Sequence, residues 1–191
     1  MNVFLSLFAA FNYLSFIAAA LFFFRTKEKP TRLVHVLKAC ALASAVLQVG
    51  FLYSLESLTL TRAGIATLCF SASIILFFTT LRFAGKRQLS EIFSSDAPKI
   101  LFHQGPYRFV RHPFYLSYLL SYCGGWIATG SMVVAIQTLV MFALYTLAAR
   151  YEESKFAHSE LAGQYRDYSR TVPRFVPRPS FRRSARKSAQ R

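Results

Sequence analysis

The sequence predicts an all-α integral membrane protein. It reads as five transmembrane helices, the last two a short helical hairpin, followed by an interfacial helix on the cytoplasmic side. Three observations carry that prediction. The 191 residues are 54% hydrophobic and 16% aromatic, with twenty Phe spread over several long apolar runs, the signature of a polytopic chain. The formal charge of +15 lies almost wholly between and after those runs, as topology and anionic headgroups require. Finally, Thr129-Gly130-Ser131 breaks the last apolar stretch so briefly that its two halves must be antiparallel neighbours.

The elements follow in order. Residues 3–24 are long enough to cross a bilayer, and the apolar run continues past Ala18-Ala19-Ala20 into Leu-Phe-Phe-Phe, unlike a cleaved signal peptide. A basic loop at 25–32 leads to a second span, 33–53, with Lys38 close enough to its start to snorkel. After a polar loop carrying Glu56 and Arg62 comes a third span at 63–81. The longest connection, 82–104, shows no sustained apolar period and is expected to lie along the membrane surface. The hairpin then spans 113–127 and 132–149. Beyond Arg150, residues Phe156, Leu161, Tyr165 and Tyr168 fall on one face of an interfacial helix, which Pro173, Pro177 and Pro179 end. Residues 1–177 read as one membrane domain, its motifs gathered in 99–177. Residues 178–191 read as a basic, disordered tail held to anionic lipid headgroups.

Basic residues sit in the 25–32 loop, the 82–112 connection and the C-terminal segment, whereas the other two connections hold only Arg62. Five spans put these sets on opposite sides, with the N-terminus outside and the C-terminus cytoplasmic. Nucleic acid is not an expected partner, since lipid and topology account for the charge. Cys40, Cys69 and Cys123 fall in three different apolar runs without a CxxC pattern. They read as small buried hydrophobes, with no disulfide framework and no metal site.

One stretch concentrates chemistry: His103-Gln-Gly-Pro-Tyr-Arg-Phe-Val-Arg-His-Pro-Phe-Tyr115. Pro113 suits the first turn of a helix. Arg111 and His112 thus precede a helix N-terminus, where free N–H groups and the dipole favour an anion. A basic flank with an interfacial tyrosine belt would look much the same. The hairpin adds a second feature by bringing Glu152 and Glu153 beside Arg111, His112 and Tyr115. Acidic and basic pairs together can hold a zwitterion such as the methionine portion of S-adenosylmethionine. Tyr107 and Phe109 offer aromatic faces for an adenine or a sulfonium. Against that, the glutamates could simply pair with Arg150 and Lys155. Adjacent helical residues also diverge by about 100°, so both facing one ligand would require a helix end or a bend.

Taken jointly, Gly105-x-Tyr107-x-x-x-Arg111-His112-Pro113-x-Tyr115, the short hairpin, Glu152-Glu153, Tyr165-x-x-Tyr168 and Pro173-Arg174-Phe175-x-Pro177 resemble a known superfamily. It is that of the isoprenylcysteine carboxyl methyltransferases and phospholipid methyltransferases. The similarity covers 99–177. It implies an S-adenosylmethionine-dependent methyltransferase acting on a lipid or lipidated acceptor by O- or N-methylation. It also implies that Tyr107, Arg111, His112, Pro113, Phe114, Tyr115, Glu152 and Glu153 bind the cofactor. Arg150, two residues before the acidic pair, becomes the candidate substrate contact. Ser117 stands where the family often has Gly, and Ala148 and Ala149 stand where isoprenylcysteine enzymes place an arginine, so the acceptor stays open. A lateral opening for a lipid acceptor is expected near Ser117. Two other readings remain: a membrane reductase using NADPH, since sterol reductases share a similar hairpin and pocket, and a non-catalytic membrane component that keeps the pocket.

Overall fold

A computed structural model describes residues 1–22, 32–92, 98 and 100–177. At residue 33 and residues 85–92 the description is confined to the backbone. The 25–31 part of the first basic loop and the 178–191 tail lie outside the described residues, as does part of the long connection. The described residues form helices and no strand: α1 (Asn2–Phe22), α2 (Arg32–Tyr53), α3 (Leu60–Ile92), α4 (Pro113–Thr129), α5 (Met132–Ala157) and α6 (Ala162–Thr171), with one 3₁₀ turn at Gly105–Arg108.

Four of these, α1, α2, α3 and α5, are long and apolar enough to cross a membrane. Their outward faces carry Leu7, Leu14, Val46, Leu68, Ile75 and Leu139, all exposed. That pattern suits a hydrocarbon solvent, in which only self-satisfied helices are stable. The remaining hairpin helix, α4, has 17 residues, about 25 Å of rise. It is enclosed by its neighbours along most of its length, and its widest contact is with α3. Small residues permit that approach. A Cβ on Gly124 would meet the Cys69 Cβ at 3.1 Å and the Ala66 carbonyl at 3.3 Å. Ser117, expected near a lateral opening, lies instead inside this interface. It is fully buried, and its carbonyl accepts the Ser73 hydroxyl at 2.6 Å. Its smallness serves helix packing.

The helices alternate in direction. At one end the Asn2 amide donates to the Leu55 carbonyl, and Arg62 lies against Gly130. Gly130 closes α4 in the left-handed region (φ +61°), its N–H donating to the Trp126 carbonyl at 2.8 Å. Glycine tolerates that conformation without strain and forms a common helix stop. At the opposite end are gathered the C-terminus of α3, the start of α4 and the end of α5. Three expected boundaries change. The surface connection expected from residue 82 begins as helix, because α3 runs on to Ile92, with Phe77, Leu81 and Ala84 continuing one packed face. Likewise α5 continues past Ala149 to Ala157, so Glu152 and Glu153 stand on the spanning helix itself. The face expected to join Phe156 to Tyr168 is divided, since the chain turns at 158–161 between α5 and α6.

Candidate functional site

The segment ahead of α4 is shaped by one glycine and two prolines. Gly105 adopts φ +56° under the Phe83 ring, and a Cβ there would meet that ring at 2.5 Å. Pro106 opens the 3₁₀ turn, closed by the Phe109 N–H donating to the Pro106 carbonyl at 3.0 Å. His112 then caps α4, and Pro113 occupies its first position. Just ahead of that N-terminus, the backbone N–H groups of Arg111 and His112 donate to the carbonyls of Pro173 (2.9 Å) and Arg174 (3.2 Å). Past α6 the chain becomes extended at Val172 and runs beside the motif as a strap, satisfying these donors as any enclosed backbone requires.

Side chains complete the junction. Glu153 accepts from Arg174 Nε (2.9 Å) and Nη2 (2.7 Å), from His112 Nε2 (3.1 Å) and from Arg111 Nη2 (3.0 Å). Glu152 accepts the Tyr115 hydroxyl and faces His112 Nδ1 at 3.4 Å. The two glutamates therefore straddle one imidazole, which is how neighbours on an unbent helix serve one centre. A carboxylate offers about four lone-pair sites. Those of Glu153 are taken, whereas Glu152 keeps capacity. Arg111 Nη1 also donates to the Ser169 carbonyl at 2.8 Å, tying the motif to α6. Two buried donors, Arg111 Nε and the Tyr165 hydroxyl, find no hydrogen-bond partner among the described residues.

Below the ions, aromatic rings form a column into the bundle. His112 stacks on Tyr115 (5.6 Å, 11°), Tyr115 on Tyr145 (5.1 Å, 25°), Tyr145 on Tyr122 (6.4 Å) and Tyr122 on Tyr13 (5.6 Å). Phe114 and Pro113 are buried beside it. Tyr107 is buried too, its carbonyl accepting the Tyr168 hydroxyl at 2.7 Å, while Phe109 is exposed. The structure thus brings Arg111, His112, Tyr115, Glu152 and Glu153 into direct contact. Arg150 is exposed on α5. Sequence reasoning assigned no site role to Arg174, Tyr145 or Tyr165. All three had signals: Tyr145 lies two turns before Glu152 on one helix face, and Tyr165 and Arg174 stand in the Tyr165-x-x-Tyr168 and Pro-Arg-Phe closing motifs.

Burial works against a charged His112, yet its hydrogen bonds to Glu152 and Glu153 and their charges outweigh it, raising its pKa above the ordinary 6.5. Both ring nitrogens face carboxylates, so the imidazolium donates from each. A pKa raised by folding gives stability that is complete below the unfolded value and is lost as pH rises through the folded one. His112→Gln is therefore expected to cost more melting temperature near pH 6 than near about pH 9. Equal losses at both would remove the imidazolium from the cluster.

Residues 60–160, just over half of the chain, match the family described as phospholipid methyltransferase. The match takes in α3, the motif, the hairpin and the acidic pair. No curated protein matches the chain.

Proposed function

Because the chain belongs to the phospholipid methyltransferase family, membrane methyltransferases acting on lipid, we propose that it transfers the methyl group of S-adenosylmethionine to a lipid or lipidated acceptor. The observation that carries this reading is the mixed ion cluster at the α4–α5 junction. It offers a buried, unpartnered Arg111 Nε and a carboxylate, Glu152, that still has acceptor capacity. One donor and one acceptor of opposite charge in one cluster fit the carboxylate and ammonium of an amino-acid-type cofactor.

S-adenosylmethionine, when bound, supplies a methyl carbon already activated by its sulfonium. What remains for the chain is alignment and exclusion of water. Arg111 would hold the ligand carboxylate, and Glu152, itself oriented by Tyr115, would accept from the ammonium. Glu153 locks Arg111, His112 and Arg174 in place, and the tyrosine column seals the inner side. Pro113 and Phe114 fix the start of α4, and Tyr107 supports the approach loop. Arg150, exposed on α5, is the proposed contact for an acceptor headgroup. The charge distribution supports five crossings, with the N-terminus outside and this cluster at the cytoplasmic mouth. Residues 1–177 act as one membrane domain, with the basic 178–191 tail on anionic headgroups.

Calorimetry on the purified protein tests the reading by titrating S-adenosylmethionine and NADPH separately. Binding of S-adenosylmethionine alone is expected. Binding of NADPH instead would return the pocket to the reductase reading, and binding of neither would leave a non-catalytic membrane component.

A further inference from the structure

We propose that Tyr165 is a cofactor-binding residue, its hydroxyl and Arg111 Nε together forming the subsite for a ligand carboxylate. This rests on the reading of the cluster as an S-adenosylmethionine site. Tyr165 lies on α6, outside the 107–115 motif and the hairpin that carry the other candidate residues. Its ring is held by stacking on Phe156 (4.7 Å, 14°) and by Tyr168 (6.3 Å). The hydroxyl is buried and finds no partner among the described residues, and the same holds for Arg111 Nε. The two lie in the same part of the cluster. Arg111 Nη1 is bonded to the carbonyl of Ser169, one turn along α6 from Tyr165, and the Arg111 charge acts on the Tyr165 hydroxyl.

Two buried donors that make no hydrogen bond among the described residues are costly unless an acceptor arrives. Charge selects which acceptor. Arg111, Arg174 and the protonated His112 outnumber Glu152 and Glu153, leaving one positive charge for a carboxylate to neutralise. Burial raises the Tyr165 pKa, so the hydroxyl stays a donor.

The test compares wild type with Tyr165→Phe, each in full-length purified protein, for binding S-adenosylmethionine and its decarboxylated analogue, which keeps the ammonium and sulfonium. Wild type is expected to prefer S-adenosylmethionine. Tyr165→Phe should lose about tenfold or more of that affinity, bind the analogue as wild type does, and melt no lower, because the ring is kept and an unpartnered hydroxyl is removed. Undiminished S-adenosylmethionine binding by Tyr165→Phe overturns the assignment, and so does equal loss for both ligands. Wild type binding both ligands equally overturns the carboxylate subsite while the cofactor reading stands. Wild type binding neither overturns both.

Discussion

Glu153→Gln is expected to lower the stability of the purified protein by about 3 kcal/mol and to abolish S-adenosylmethionine binding. Glu152→Gln should leave the melting temperature nearly unchanged and weaken binding about 10- to 100-fold, the worth of one hydrogen bond to a charged group. The two neighbours differ because their partners differ. Glu153 is a single carboxylate holding Arg111, His112 and Arg174 at 2.7–3.1 Å. These come from two segments far apart in the chain. Without its charge, three cations face one another and the strap loses its ionic tie to α5. Glu152 faces His112 only at 3.4 Å and otherwise accepts the Tyr115 hydroxyl, so its loss unties little. Glu56→Gln, exposed at the opposite end of the bundle, serves as control and should change neither quantity. Thermal unfolding and calorimetry on the three variants check this, and equal behaviour of the two glutamate variants would sink the distinction between them.

Gly125→Ala is expected to destabilise the bundle by roughly 2–4 kcal/mol, although Ala is the better helix former. An added Cβ would overlap the Gln48 amide, whose Cδ lies only 2.7 Å away. Gln48 is fully buried and joins four helices. Its carbonyl accepts the Tyr13 hydroxyl, and its NH₂ reaches the Tyr122 carbonyl (3.1 Å) and the Gln137 side-chain oxygen (2.8 Å). Moving it breaks all three at once, in surroundings with no water to replace them. Gly50 and Gly64, where an added Cβ would meet nothing within 4 Å, provide the contrast. Gly50→Ala and Gly64→Ala should be neutral or stabilising by up to about 1 kcal/mol. A Gly125→Ala protein that melts with those two would mean that α2 and α4 can separate freely there.

The sequence by itself determined the helical class, the hairpin through Gly130 and the facing of the 111–115 motif with Glu152 and Glu153. These depend on local properties: runs of apolar residues, a tight turn, and the antiparallel geometry that such a turn enforces. It also carried the family resemblance, borne out by the match over residues 60–160. Helix ends were less legible. Arg82 and Arg150 mark where an apolar run stops, but a helix satisfies its own backbone in water as in lipid, so α3 and α5 continue past them. Only the tertiary structure decided who partners whom. That the strap after α6 takes the N–H groups of Arg111 and His112 and that Arg174 completes the shell of Glu153 both depend on residues more than 20 positions apart. Their meeting is set by how helices pack around α4, which no local pattern encodes.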